Sequence, residues 1–297
     1  MTQRAKPERW TTRRLLSWTE EYFSRKGLDA PRISAEMLLA HVLNLPRIKL
    51  YMDLDRPATP LELAAYRELV ERAVADEPVQ YLVGWTSFFS LKLSVNRSTL
   101  IPQPSTETLV EHVLQHSRRT PGFRTPRVAD IGTGSGAIAI AVAKNIPGAR
   151  VVATDISAEA LELARTNATT HGVADRIEFR EGDLYEPLGV ERFEYLLSNP
   201  PYIPDSEWHD PKMMGRDVKG HVPERALRGG VDGLKYLKPM IEQAHRHLEK
   251  PGQLVFEIAA STRSAVLALA ESHDYLTNPH ILADFDRLPR VLVADRL

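Results

Sequence analysis

Val128-Ala129-Asp130-Ile131-Gly132-Thr133-Gly134-Ser135-Gly136 passes from a short apolar run into three alternate glycines, and a helix-forming stretch follows as far as Asn145. A short apolar run bounded by glycines reads as a buried strand. The glycines let the backbone turn sharply and come close to a ligand at a helix start. Their spacing is G-x-G-x-G and not the G-x-G-x-x-G of dinucleotide folds, because position 137 is alanine. No phosphate-cradling lysine follows in the G-x-x-x-x-G-K manner, which argues against a nucleoside triphosphatase. Asp155 closes the next predicted strand, about 20 residues further on, where an acid suits the two hydroxyls of a ribose. Glu181-Gly182-Asp183-Leu184 follows a third strand. A carboxylate or backbone group there can meet an exocyclic amine, and Leu184 can cover a flat ring. The bland alternative is a plain glycine turn with a helix-capping acid. The three turns in register favour a nucleoside site.

Outward from this point strands and helices alternate. The pattern predicts strands at 128–131, 150–154, 176–180, 195–198 and 253–258. Helices are expected at 135–145, 157–170, 234–248 and 262–272, with a closing hairpin from 275–283 and 290–294. Such βαβ alternation predicts a parallel, doubly wound α/β sheet with ligands at the C-terminal ends of the strands. Upstream, residues 86–100 alternate and are rich in aromatic and β-branched types, which reads as a hairpin. Ile101-Pro102-Gln103-Pro104 then forces extended backbone, and a helix is expected over 106–116.

Residues 11–85 read as helical. Thr11 or Thr12 can cap a helix that stops at Gly27, and Ser34 can cap a second. Thr59-Pro60-Leu61-Glu62 is a capping box with proline at the first helical position, and Leu61, Ala65, Leu69 and Ala73 are expected on its apolar face. The domain boundaries expected are therefore 1–85 for a helical substrate-binding domain, 86–120 for a hairpin linker and 121–297 for the catalytic domain. Composition agrees with a globular chain of 297 residues, 43% hydrophobic and 26% charged. With 38 Lys+Arg against 39 Asp+Glu, the net charge of −1 offers no field for wrapping nucleic acid. The helical segment is also close to neutral. Cysteine is absent, which excludes disulfides, thiolate metal sites and cysteine nucleophiles and suits a cytoplasmic location. No signal peptide or membrane span is expected. No metal is expected either: His209, Asp210 and His221 lack a ligating spacing.

Ser198-Asn199-Pro200-Pro201-Tyr202 ends the fourth strand of the alternating region. Two prolines stiffen the backbone and remove two N–H donors. The Asn199 side-chain oxygen and the Pro200 carbonyl can then converge as two acceptors, which suits a planar –NH2 group. Tyr202 can stack on a flat π-system. With these residues the chain resembles S-adenosylmethionine-dependent methyltransferases that act on amide or aromatic amino nitrogen, through Asp-x-Gly-x-Gly-x-Gly paired with Asn-Pro-Pro-Tyr. The resemblance is closest to the HemK-type (PrmC) protein glutamine N5-methyltransferases. Pro78-Val79-Gln80-Tyr81-Leu82-Val83-Gly84, Leu100-Ile101-Pro102-Gln103-Pro104-Ser105-Thr106-Glu107 and Pro223-Glu224-Arg225-Ala226-Leu227 with Gly229-Gly230 look like segments of that family.

The resemblance implies a Rossmann-like class I methyltransferase sheet with a small N-terminal helical bundle and a β-hairpin linker. It implies S-adenosylmethionine as cofactor, held by Asp130, Gly132, Thr133, Gly134, Ser135, Gly136, Asp155, Asp183, Leu184 and Asn199. Asn199, Pro200, Pro201 and Tyr202 are the implied substrate contacts, with Asn199, Pro200 and Tyr202 as the catalytic set. The implied partner is a peptide chain release factor, methylated on the glutamine of its Gly-Gly-Gln motif. A sister group (PrmB) methylates a large-subunit ribosomal protein, and Glu257-Ile258-Ala259-Ala260-Ser261 and His221-Val222-Pro223-Glu224 lean toward it. The family usually carries Arg at the position of Gln103 and an acid at that of Ser105. The stretch 205–219 sits where the substrate peptide is expected to pass. Adenine N6 or cytosine N4 methylation of nucleic acid is the rival enzymatic reading. A non-catalytic module that binds translation factors is the rival from another class.

Overall fold

The computed structural model describes residues 9–208 and 220–297. The chain forms two compact units, a helical one that closes at Gly84 and a larger one that starts at Trp85.

The helical unit contains α1 (Thr12–Lys26), α2 (Pro31–Val42), α3 (Pro60–Val74) and α4 (Val79–Val83). Thr11 caps α1 by accepting from Arg14 N–H, and Gly27 ends it in the left-handed region at φ 74. The capping box of α3 is complete, because Glu62 accepts from Thr59 N–H at 2.8 Å while Thr59 Oγ1 accepts from Glu62 N–H. Two expectations need correction. Helix α2 starts at Pro31 behind Ala30, and Ser34 lies inside it, donating to Asp29 O at 3.3 Å. Proline at the first turn sets the start that a serine cap was expected to set. The buried face of α3 carries Tyr66, Val70 and Ala73, whereas Leu61 is 83% exposed. The tyrosine sets that face, since its ring fills this core and its hydroxyl donates to Ala35 O.

The second unit opens with the hairpin β1 (Trp85–Phe88) and β2 (Leu91–Ser94), paired antiparallel. Phe88 and Leu93 are buried in one core with Val110, Val113 and Leu114 of α5 (Glu107–Arg119). The hairpin is thus packed onto the sheet unit. Next come β3 (Arg127–Ile131), α6 (Ala137–Asn145), β4 (Arg150–Asp155), α7 (Ala158–Thr170), β5 (Ile177–Glu181) and β6 (Phe193–Ser198). They are followed by α8 (Asp205–Trp208), α9 (Leu237–Gln243), β7 (Leu248–Glu257), α10 (Arg263–Glu271), β8 (Thr277–Ala283) and β9 (Pro289–Arg296).

Seven strands make one sheet in the order β5-β4-β3-β6-β7-β9-β8. The first five are parallel, and β9 joins antiparallel to β7 and β8. The parallel sheet expected from the alternation is formed by β3 to β7, and the expected closing hairpin supplies its antiparallel edge. The order reverses at β3, and β3 and β6 diverge in connectivity there, which is the point where doubly wound sheets bind ligands. Two buried cores cover the two faces of the sheet. Helix α6 begins at Ala137 and not at 135, because Gly136 takes φ 82. The helix expected over 234–248 is only Leu237–Gln243 plus one tight turn, and the chain is already a strand at Leu248. No described helix is long and apolar enough to cross a membrane.

Candidate active site

Gly132, Gly134 and Gly136 take φ 71, 55 and 82, so the turn between β3 and α6 is built from left-handed residues. At Gly136 a side chain is excluded twice: a Cβ would stand 2.9 Å from Ile140 Cδ1 and 3.1 Å from Ala164 Cβ. Asp130 anchors the turn from below. It is fully buried, and its Oδ2 accepts from Thr133 Oγ1 at 2.6 Å and from Ala139 N–H at 3.1 Å. Its Oδ1 has no partner among the described residues. Burial, with Asp155 nearby, pushes the Asp130 carboxyl up to about 7.

Asp155 ends β4 and ties two loops together. Its Oδ2 accepts from Gly134 N–H and its Oδ1 from Ser157 N–H, both at 2.9 Å. Its backbone carbonyl accepts from Gly182 N–H. The turns after β3, β4 and β5 are thereby one connected rim. Ser157 caps α7 and accepts from Arg225 Nη2 at 3.0 Å.

On the other side, Ser198 Oγ donates to Ile131 O at 2.7 Å, locking the end of β6 to the end of β3. This fixes where Asn199 emerges. Asn199 Nδ2 donates to Thr106 Oγ1 at 3.1 Å, and Thr106 Oγ1 donates to Glu257 Oε2 at 2.6 Å. Glu257, fully buried at the end of β7, also accepts from Ser105 Oγ at 3.2 Å and from the Tyr202 hydroxyl at 2.9 Å. The loop leaving Tyr202 is held by Ile203, which exchanges two backbone hydrogen bonds with Leu227 and Gly229. Gly229 lies so close that a Cβ would stand 2.7 Å from the Tyr202 carbonyl carbon.

These elements enclose a cavity of about 270 Å³ at the C-terminal ends of β3, β4, β5 and β6. Of the residues expected to hold a cofactor, Gly132, Thr133, Gly134, Ser135, Asp155, Asp183, Leu184 and Asn199 line it. Asp130 and Gly136 shape the turn from outside the lining. Pro200 and Pro201 also line the cavity, but Tyr202 does not. The stacking surface expected of Tyr202 is turned elsewhere: its ring packs on the second core and its hydroxyl is taken by Glu257. His209, Asp210, Met213 and Met214 lie outside the described residues, as does most of the stretch expected to meet substrate.

Three contributions were not read from sequence. Thr99, Leu100, Pro102 and Thr106 form one wall, Arg225 and Tyr236 another, and Glu257 sits behind Asn199. The family resemblance covers the segments 100–107 and 223–227 but implies no role for them. Nothing local to Glu257 signals its contact with Thr106, which lies 151 residues away in the chain. Glu107, at the start of α5, accepts from Phe89 N–H at 2.7 Å and fastens the hairpin.

The residues fit an adenosine-bearing sulfonium cofactor. The glycine turn leaves open space where a Cβ of Gly132 would point, and the acids Asp155 and Asp183 face the cavity. Comparison with known proteins agrees. Residues 14–84 match the PrmC N-terminal domain, and residues 102–214 match the methyltransferase small domain. The release factor glutamine methyltransferase of Geobacter sulfurreducens is 42% identical over 264 residues, 89% of each chain. That of Chlorobaculum tepidum is 38% identical over 95% of this chain and 96% of its own. Among solved structures, the hMettl16 catalytic domain in complex with the MAT2A 3′UTR hairpin 1 superposes with a TM-score of 0.52 at 15% identity, covering 69% of this chain and 75% of that one. It shares the fold.

Proposed function

The chain belongs to the release factor glutamine methyltransferase family, and on that premise we propose that it methylates the side-chain nitrogen N5 of the Gly-Gly-Gln glutamine in peptide chain release factors. The observation that carries this is the meeting of Asn199 and Pro200 with the glycine turn in one cavity.

S-adenosylmethionine supplies an electrophilic methyl group on a sulfonium. The protein's task is to hold the acceptor. An amide nitrogen is a poor nucleophile, because its lone pair is delocalised into the carbonyl. Asn199 donates its Nδ2 inward to Thr106, which leaves Oδ1 as its acceptor toward the cavity. Oδ1 and the Pro200 carbonyl then accept the two N–H groups of the glutamine, orient it and favour electron density on nitrogen. Holding nucleophile and methyl at about 3 Å supplies several kcal/mol by proximity. No general base is assigned: as the N–CH3 bond forms and the S–CH3 bond breaks, the sulfonium leaves as the neutral thioether, and the cationic N-methylated amide, which is strongly acidic, gives its extra proton to water. Asp155 and Asp183 hold the ribose and adenine edge, and Leu184 covers the ring. A release-factor substrate supports a cytoplasmic location, and the absence of cysteine is compatible with it.

The test is transfer of labelled methyl from S-adenosylmethionine to the organism's purified release factors and to its ribosomal large subunit, with peptide mass mapping of the product. One methyl on the Gly-Gly-Gln glutamine is the expected result. Label on a large-subunit protein alone would move the substrate to the ribosome, and label on duplex DNA or RNA would overturn a protein substrate altogether.

A further inference from the structure

Glu257 is fully buried, does not line the cavity, and nonetheless governs a group that does. Its Oε1 accepts from Ser105 and Tyr202 and its Oε2 from Thr106. The charged and titratable groups that face it are Tyr202 from the loop after β6 and Arg290 from β9. Arg290 in turn donates to Asp284 at 3.0 Å. A carboxylate has only acceptors, so each of the three hydroxyls must turn its proton toward it. Thr106 has a single proton. Once that proton points to Glu257, Oγ1 can only accept from Asn199, and it does so from Nδ2 at 3.1 Å. The direction of the chain Asn199 to Thr106 to Glu257 is thus set from its buried end.

We propose that Glu257 is a positioning residue for methyl transfer, acting through Thr106 to hold the Asn199 amide with its oxygen toward the acceptor nitrogen, which makes the site selective for an –NH2 nucleophile. The proposal rests on the function proposed above. A reversed amide would point an N–H donor at a group that offers only donors, a repulsive pairing. Ser105 and Tyr202 secure the other carboxylate oxygen, so that Glu257 cannot swing away from Thr106. Burial raises the Glu257 carboxyl above its ordinary range, while its hydroxyl partners and Arg290 lower it. Protonated, Glu257 becomes a donor to Thr106 and the chain can reverse. The active direction is therefore lost as pH falls through that raised value.

The experiment measures methyl transfer by the full chain to a release factor for Thr106→Val, Thr106→Ser and Glu257→Gln. Thr106→Val should lower kcat about 10- to 100-fold, with KM for the release factor and Kd for S-adenosylmethionine within about threefold. Thr106→Ser keeps the hydroxyl and should stay within about threefold of wild type. Glu257→Gln should lower kcat and abolish the acid limb of the wild-type kcat–pH profile. A residue of merely structural importance would lower stability and leave that limb in place. Thr106→Val within twofold of wild-type kcat, or an unchanged acid limb in Glu257→Gln, overturns the relay alone. No label from the wild-type chain overturns the function first, and the relay with it.

Discussion

The two halves of the cavity are held in different ways. The glycine turn after β3 is fastened by neighbours in the βαβ unit: Asp130 accepts from Ala139 N–H and from Thr133 Oγ1, and Asp155 accepts from the N–H groups of Gly134 and Ser157, all within a few tens of residues. The Asn-Pro-Pro-Tyr loop is fastened by side chains that are remote in sequence, with Thr106 separated from Asn199 by 93 residues. Backbone cradles suit a ligand shared by many proteins, since backbone N–H groups are independent of side-chain identity. Side-chain chains suit an acceptor that must be told apart from its isosteres.

Asn199→Ala gives the largest expected effect and separates the two halves directly. Removing an acceptor used in the transition state should lower kcat about 10²- to 10³-fold, while Kd for S-adenosylmethionine stays within about tenfold. Equal losses in both, measured by single-turnover kinetics and calorimetry, would break the division. Next in size is Gly136→Ala. It combines a left-handed backbone with contacts of 2.9 and 3.1 Å to Ile140 and Ala164. It should destabilise the fold by about 2–4 kcal/mol in urea unfolding, and cofactor affinity should fall with it.

Asp155→Asn should be milder. Asparagine keeps one acceptor for Gly134 or Ser157 but loses charge toward the ribose. Kd for S-adenosylmethionine should rise about tenfold, with kcat at saturation within about threefold. A kcat loss as large as that of Asn199→Ala would show that the rim also orients the acceptor.

The last effect is on the pH dependence of stability and concerns Asp130. Its carboxyl is pushed up to about 7 by burial, against an ordinary value of 3.8. The folded state then keeps a proton that the unfolded chain has released, so this contribution to stability is full below the unfolded value. It is lost as pH rises through about 7. Asp130→Asn should remove a slope of up to about 1.4 kcal/mol per pH unit between pH 5 and 7. Parallel urea-stability curves for the two proteins across pH 5–8 would show an ionised Asp130.

Local signals carried the parts of the fold that depend on neighbours in sequence. The glycine turn, the acid at the end of β4, the capping box at Thr59 and the stop at Gly27 each need only a few adjacent residues, and each sits where its chemistry predicts. The misread elements were decided by packing. Helix α3 turned its Tyr66 face inward because that ring fills the space available, and α9 ended early where the chain enters β7. Tyr202 was expected at the substrate, but a buried carboxylate claimed its hydroxyl.

Residue type and spacing by themselves indicated a doubly wound sheet whose strand ends carry a glycine turn and an acid suited to a nucleoside, with Asn199 and Pro200 at the same edge. Those features are short-range, and a strand, a glycine turn and a pair of prolines dictate their own backbone. Only the tertiary structure decided which way the Asn199 amide faces and what supports it. That choice depends on Thr106 meeting Glu257 and Asn199 at the cavity wall: the pairing of β6 with β7 brings the last two to one edge, and the segment before α5 packs between them, which no local propensity encodes.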